Sequence, residues 1–204
     1  MSKSLLFGTQ IQVSAISRPT TKWHRVLAQE CLKFSQIDRR GQQWSKSNYP
    51  GGFTSYGSLT NLFELSPYFA DLRKKLERAA RLFAGKLEWD IRPQNLQLNS
   101  MWINIMPQGT QHSLHLHPHS ALSGTYYVNV PPKASAIRFE DPRLSLFMAT
   151  PARKPKARPE NRWFYEVQPK EGQAIFFESW LRHEVPKNQS EKPRISVSFN
   201  LDWR

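Results

Sequence analysis

A mainly β architecture, a β-sandwich or jelly roll with supporting N-terminal α-helices, is what this sequence predicts. Three observations carry the prediction. From about Asn95 onward the chain breaks into short β-type runs with Pro, Gly and Asn between most of them. Fifteen prolines, most of them scattered, disfavour a helical bundle. Only two segments before Asn95 carry an apolar repeat of helical spacing. With 204 residues the chain is expected to form a single domain, 1–204, long enough for a substantial core. Residues 1–94 would give helical support and N-terminal strands, and 95–204 the β core.

The first helix is expected from a Thr20 or Thr21 cap to about Phe34, with Trp23, Leu27, Cys31 and Phe34 on its apolar face. Residues 38–60 are polar and Gly-rich, with Tyr49-Pro50-Gly51-Gly52 as a turn. The second helix is the clearest element. Ser66 suits the N-cap and Pro67 the first helical position. Phe69, Leu72, Leu76, Ala79, Ala80 and Phe83 repeat at helical spacing, and Gly85 suits the position just past the end. Strands are then expected at 96–106, 123–130, 136–140, 163–167, 173–178, 183–186 and 194–203.

Composition excludes several classes. A single cysteine, Cys31, rules out an intramolecular disulfide and any Cys-based zinc or iron–sulfur site. The apolar run in Met1–Gly8 is too short for a secretory leader, and no segment approaches the ~20 apolar residues of a membrane span. A cytoplasmic protein is therefore expected. The net charge of +13 suits nucleic acid, an acidic protein or an anionic small molecule. Nucleic acid is the less favoured partner, because no recognition motif accompanies the charge. The basic, Pro-rich stretch Arg153-Lys154-Pro155-Lys156-Ala157-Arg158-Pro159 reads as a solvated loop.

Four of the six histidines fall within His112–His119. Residues i and i+2 of a strand share a face, so His115 and His117 can point together at one metal ion. His117 and His119 share that phase too, but Pro118 interrupts regular strand geometry, which leaves His119 in reserve. His112 is out of phase and expected to be exposed. His183, far downstream, follows a buried strand and can supply a third imidazole, a donor suited to iron, zinc, copper or nickel. In Arg194-Ile195-Ser196-Val197-Ser198-Phe199-Asn200 polar and apolar residues alternate. The polar face either meets solvent or lines a wet interior. In the second case Arg194 could grip a carboxylate bidentately with help from the Ser196 hydroxyl.

This ordered set, His115-x-His117, His183, then Arg194-x-Ser196, resembles the 2-oxoglutarate- and Fe(II)-dependent oxygenase superfamily. Ser123-Gly124-Thr125-Tyr126-Tyr127-Val128-Asn129 is similar to the Tyr-Tyr-x-Asn strand of its prolyl-hydroxylase-like branch. His-x-His-Pro-x-Ser-x-x-Ser-Gly-x-Tyr-Tyr, with the later Phe-x-Ser-Trp-x-x-His-x-Val, is similar to a less-characterised oxygenase family of microbes and phages. The resemblance covers about Asn99 to Trp203. It implies a double-stranded β-helix, the cupin-like jelly roll. It implies Fe(II) held by His115, His117 and His183, and 2-oxoglutarate as cosubstrate. Arg194, Ser196 and Tyr127 would hold the far carboxylate of 2-oxoglutarate, and Asn104 would lie near its metal-proximal end. The implied reaction uses O2 to hydroxylate an unidentified substrate, a small molecule, peptide or protein, with release of succinate and CO2. Trp102, two residues before Asn104, is expected to pack in the core.

One position departs from the family pattern: His117 stands where Asp or Glu is usual. Asp141 or Glu140 could supply a carboxylate from another strand. Two other readings follow from the residues. One is a cupin-like three-histidine dioxygenase that does not use 2-oxoglutarate. The other is a non-catalytic basic binding module on the same scaffold.

Overall fold

The computed structural model describes residues 4–203; residues 1–3, part of the opening segment considered above, and residue 204 lie outside it. A strand, β1 (Ile11–Ala15), comes first and leads into α1 (Lys22–Ile37), α2 (Arg39–Asn48) and the short β2 (Phe53–Thr54). Then come one turn of helix, α3 (Leu62–Leu65), and α4 (Pro67–Lys86). The β core comprises β3 (Leu96–Met106), β4 (His112–His115), β5 (Leu122–Asn129), β6 (Ile137–Glu140), β7 (Phe164–Val167), β8 (Gln173–Glu178), β9 (His183–Val185) and β10 (Arg194–Trp203). The six-stranded sheet runs β1-β8-β5-β10-β3-β2 and the four-stranded sheet β4-β9-β6-β7. All pairings between these strands are antiparallel. The two sheets form a double-stranded β-helix, the jelly roll that the family resemblance implies.

Local chemistry accounts for the helices. The Thr21 side chain accepts from the His24 amide at 3.2 Å to start α1. Asp38 then serves two helices. Its amide closes α1 on the Phe34 carbonyl, and its Oδ1 accepts from the Gly41 amide to open α2. Helix α2 lies in the polar stretch 38–60, which carries no apolar repeat. It buries Gly41 and Ser45 rather than an apolar stripe, so periodicity could not announce it. Ser66 and Pro67 open α4 as expected. Gly85 does not end it; the helix runs on to Lys86, and Glu88 takes the left-handed turn at φ 57°. Strand β1, for which the sequence offers no bounds, is an edge strand paired among the described residues with β8, and its half-exposed face gives little apolar signal.

Two apolar layers result. Leu27, Phe69, Leu76 and Phe83 of the helices pack on Ile103, Val197, Phe199 and Leu201, on one face of the large sheet. Ile137, Phe139, Ile175 and Phe177 fill one end of the space between the sheets. Gly124 faces Phe176 on one neighbouring strand and Phe199 on the other, and those two rings pack 5.2 Å apart. A Cβ on Gly124 would come within 2.4 Å of the Phe199 ring and 2.5 Å of the Ile175 carbonyl oxygen. Gly124→Ala is expected to destabilise the fold by about 1–3 kcal/mol, as overpacking does. Chemical denaturation would read this as a lowered midpoint.

Candidate metal centre and its cavity

The alternating face of β10 sets up the site. Ile195, Val197, Phe199 and Leu201 face the helices, whereas Arg194, Ser196, Ser198 and Asn200 line a cavity of about 600 Å³ between the sheets. The polar face of this strand therefore looks into an interior, not out to solvent. The volume is within the range of small-molecule sites.

His115, His117 and His183 gather at this cavity. Each offers a ring nitrogen, and the three atoms lie within 4.8 Å of one another. His115 pairs in register with His183 across β4 and β9. His117 lies two residues beyond the end of β4, where its amide donates to the Ser179 carbonyl at 3.0 Å. The His115 and His117 rings still stack, 5.3 Å apart and 17° from parallel. The i, i+2 expectation thus holds without a continuous strand.

Each Nδ1 meets an oxygen acceptor. The partners are the Ser113 carbonyl at 2.6 Å for His115, Asn200 Oδ1 at 2.6 Å for His117 and the Leu181 carbonyl at 2.9 Å for His183. The backbone carbonyls hold His115 and His183 with the proton on Nδ1, which leaves their Nε2 lone pairs for a metal; the Asn200 oxygen is placed to accept from His117 in the same way. Burial lowers the pKa of His183 to about 3, and partial removal from water lowers that of His117 to about 4 and that of the more exposed His115 in the same direction. The cluster is neutral at neutral pH, as ligation requires.

A pH prediction follows. A histidine with an unfolded value near 6.5 and a folded value near 3 binds more protons unfolded across that window, so stability rises with pH there. The metal-free protein should lose stability as pH falls from about 6.5 toward 3. Urea midpoints at pH 7.5 and 5 check this. The expected drop should shrink in His183→Asn, and equal midpoints in the wild type would contradict it.

Arg194 is 2% exposed, and no carboxylate pairs with it among the described residues. Its Nε has no hydrogen-bond partner, and Nη1 reaches only Met106 Sδ at 2.7 Å. Its guanidinium carbon lies 5.0 Å from the centre of the Tyr127 ring. Tyr127 does not itself line the cavity; it is buried behind Arg194, its hydroxyl bonded to no other group, and burial raises its pKa against the opposing pull of Arg194, so it remains a protonated donor. Ser196 lies beside Tyr127 in register. Asn104 lines the same cavity, with Nδ2 on Ser198 and Oδ1 unpartnered. A buried cation without a counter-charge is costly, and so are unpaired buried donors. This end of the cavity is suited to a carboxylate.

Other expectations are corrected. His112 is not exposed: it lines the cavity and stacks on Tyr49 with ring centres 4.4 Å apart. Burial, then the charge of Arg194, pushes its pKa down to about 3. His119 takes φ 65° and lies outside the cluster. Glu140 pairs with Arg182 and Asp141 with Arg143, each at 2.8 Å, so neither brings a carboxylate to the histidines. Trp102 is buried, as expected, and it also lines the cavity, 5.8 Å from the His117 ring. Tyr56 and Trp44 continue an aromatic wall from it, with ring centres 5.2 and 6.0 Å apart. The basic segment 143–162 does not line the cavity. Tyr49, Trp44 and Tyr56 come from the N-terminal half and carry no motif. Asn200 and Ser198 were visible only as members of the polar face of β10.

Residues 100–200, about half of the chain, match the family described as "Putative 2OG-Fe(II) oxygenase". No curated protein sequence matches the chain. Among solved structures, it is similar to SnoN, a non-heme α-ketoglutarate-dependent epimerase from nogalamycin biosynthesis (14% identity, TM-score 0.67, covering 95% of this chain and 76% of that one). It is similar to HygX from Streptomyces hygroscopicus with nickel and 2-oxoglutarate bound (14%, 0.64, 95% and 83%). It is also similar to a prolyl-4-hydroxylase from Pseudomonas putida (14%, 0.60, 96% and 94%). At these identities the likeness establishes the fold. Among the described residues no helix is long and apolar enough to cross a membrane.

Proposed function

We propose that this chain, a member of the 2-oxoglutarate- and Fe(II)-dependent oxygenases by its match over residues 100–200, hydroxylates a C–H bond of a small molecule, peptide or protein. The observation that carries the reading is the buried, unpaired Arg194 in the same cavity as three convergent imidazoles. Those residues fit both groups. Three neutral Nε2 donors suit Fe(II), and a guanidinium without a carboxylate partner beside a buried phenol suits the far carboxylate of 2-oxoglutarate.

In this reading His115, His117 and His183 hold the iron, each oriented by its Nδ1–H bond. Arg194, Tyr127 and Ser196 hold the distal carboxylate, and Asn104 faces the metal-proximal end. Bound Fe(II) supplies the oxidising chemistry. In the overall balance one oxygen atom of O2 enters the substrate and the other enters succinate, with CO2 released. The protein fixes positions and sheds water from both partners. Trp102, Tyr56 and Trp44 give the substrate side an apolar wall. One similar structure is an epimerase, so the scaffold serves more than one outcome. Hydroxylation is the outcome proposed for this chain.

The three-histidine reading without 2-oxoglutarate explains the imidazoles but gives Arg194 and Tyr127 no partner. The test is succinate production from 2-oxoglutarate in air with added Fe(II), even without the natural substrate. The expected result is slow succinate formation in the wild type and none in His115→Ala. Wild-type protein that binds iron yet forms no succinate would overturn the reading.

A further inference from the structure

An imidazole in place of a carboxylate brings a problem that a carboxylate lacks. Neutral histidine has two tautomers, and only the one protonated at Nδ1 leaves Nε2 free for metal. His115 and His183 meet this need with backbone carbonyls. His117 instead relies on side chains. Its Nδ1 lies 2.6 Å from Asn200 Oδ1 and 3.0 Å from Ser123 Oγ. Ser123 Oγ donates to the same Asn200 oxygen at 2.8 Å and meets Ser179 Oγ at 2.7 Å. Ser123 and Ser179 are fully buried.

The strands are built to bring these groups together. Asn200 and Ser123 are register partners across β10 and β5. At Asn200 the β10–β3 register slips, from Asn200↔Ser100 to Leu201↔Leu98. Such an irregularity re-aims a side chain. Ser179 also holds the backbone of His117 through its carbonyl.

We propose that Asn200, braced by Ser123 and Ser179, is the positioning residue that fixes His117 in its Nδ1–H tautomer and so makes a histidine serviceable as the second ligand. This rests on His117 being a ligand, as read above. Asn200 Oδ1 takes two donors, the His117 Nδ1–H and the Ser123 hydroxyl, which leaves the imidazole neither flipped nor free to rotate. The amide is a neutral acceptor, so His117 remains a neutral imidazole. The centre then carries one negative charge fewer than one with a carboxylate ligand. Asn200→Asp would restore that charge one bond network away, as an Asp–His–metal relay.

Two measurements test this. Long-range 1H–15N correlation spectra of the metal-free protein at pH 8 report the tautomer of His117. Anaerobic competition against a chelator reports Fe(II) affinity. Wild type should show Nδ1–H at His117, and a predominant Nε2–H form would overturn the proposal without any variant. Asn200→Leu should mix the tautomers and weaken Fe(II) binding by roughly 10- to 100-fold, the usual cost of losing a ligand's orienting partner. Asn200→Asp should restore affinity to the wild-type value or above. A folded Asn200→Leu with wild-type tautomer and affinity would overturn the proposal. His117→Ala separates the two claims. Unchanged affinity there defeats the ligand reading itself. Lost affinity there, with Asn200→Leu intact, defeats only the role of Asn200.

Discussion

Arg194→Ala should weaken 2-oxoglutarate binding by about 30- to 5,000-fold while leaving Fe(II) affinity within a few-fold of wild type. The range is the ~2–5 kcal/mol typical of truncating one partner of a buried, hydrogen-bonded charge pair. Arg194 is 2% exposed and has no acidic partner among the described residues, so its guanidinium depends on the ligand for a counter-charge. It touches none of the three histidines through any hydrogen bond, so the metal site should survive its loss. Calorimetric titration of 2-oxoglutarate into the Fe(II)-loaded, oxygen-free protein reads the first effect, and chelator competition the second. Arg194→Lys should rescue poorly, because an ammonium cannot reproduce the planar two-point grip. Equal 2-oxoglutarate affinity in wild type and Arg194→Ala would remove the carboxylate role.

His183→Ala should have the larger effect on metal. His183 is 4% exposed, pairs with His115 across the two strands, and contributes the third Nε2. Removing a ligand should exceed the ~100-fold upper end seen when only an orienting partner is lost. Fe(II) binding in the micromolar range and succinate formation should both disappear. The fold should persist, because the small sheet is also held by the β6–β7 and β6–β9 pairings. Circular dichroism would confirm the fold, and metal analysis after dialysis would read the loss. A His183→Ala protein that keeps stoichiometric iron and turnover would defeat the three-histidine assignment.

The parts of this molecule with a repeating physical signal were legible in the sequence. Helix α4 announced itself through Phe69, Leu72, Leu76 and Phe83 behind a Ser66-Pro67 start. Strand β10 did so through strict alternation, and its ends are those expected. The three histidines and Arg194 were readable from order and spacing. What failed was local structure without apolar patterning. Helix α2 is held by the Asp38 cap and buries a glycine and a serine, so nothing in its hydropathy marks it. His112 was expected outside because a regular strand would turn it away from His115. The register of β4 against β9 shifts between those two residues, and both turn toward the cavity. Tyr49 reads in sequence as a turn residue; only the fold brings it beneath His112. Asn200 was visible as polar and inward-facing, but its bond to His117 spans 83 residues and no local pattern encodes it.

The most direct test of the central claim, that three neutral histidines and a buried arginine build one iron and 2-oxoglutarate site, is an anaerobic titration. Fe(II)-loaded protein is mixed with increasing 2-oxoglutarate while the visible absorption spectrum is followed. A weak charge-transfer band should grow and saturate at one 2-oxoglutarate per protein, and it should be absent in His183→Ala. In Arg194→Ala it should require far higher 2-oxoglutarate. A wild-type protein that binds Fe(II) but develops no band at saturating 2-oxoglutarate would contradict the account.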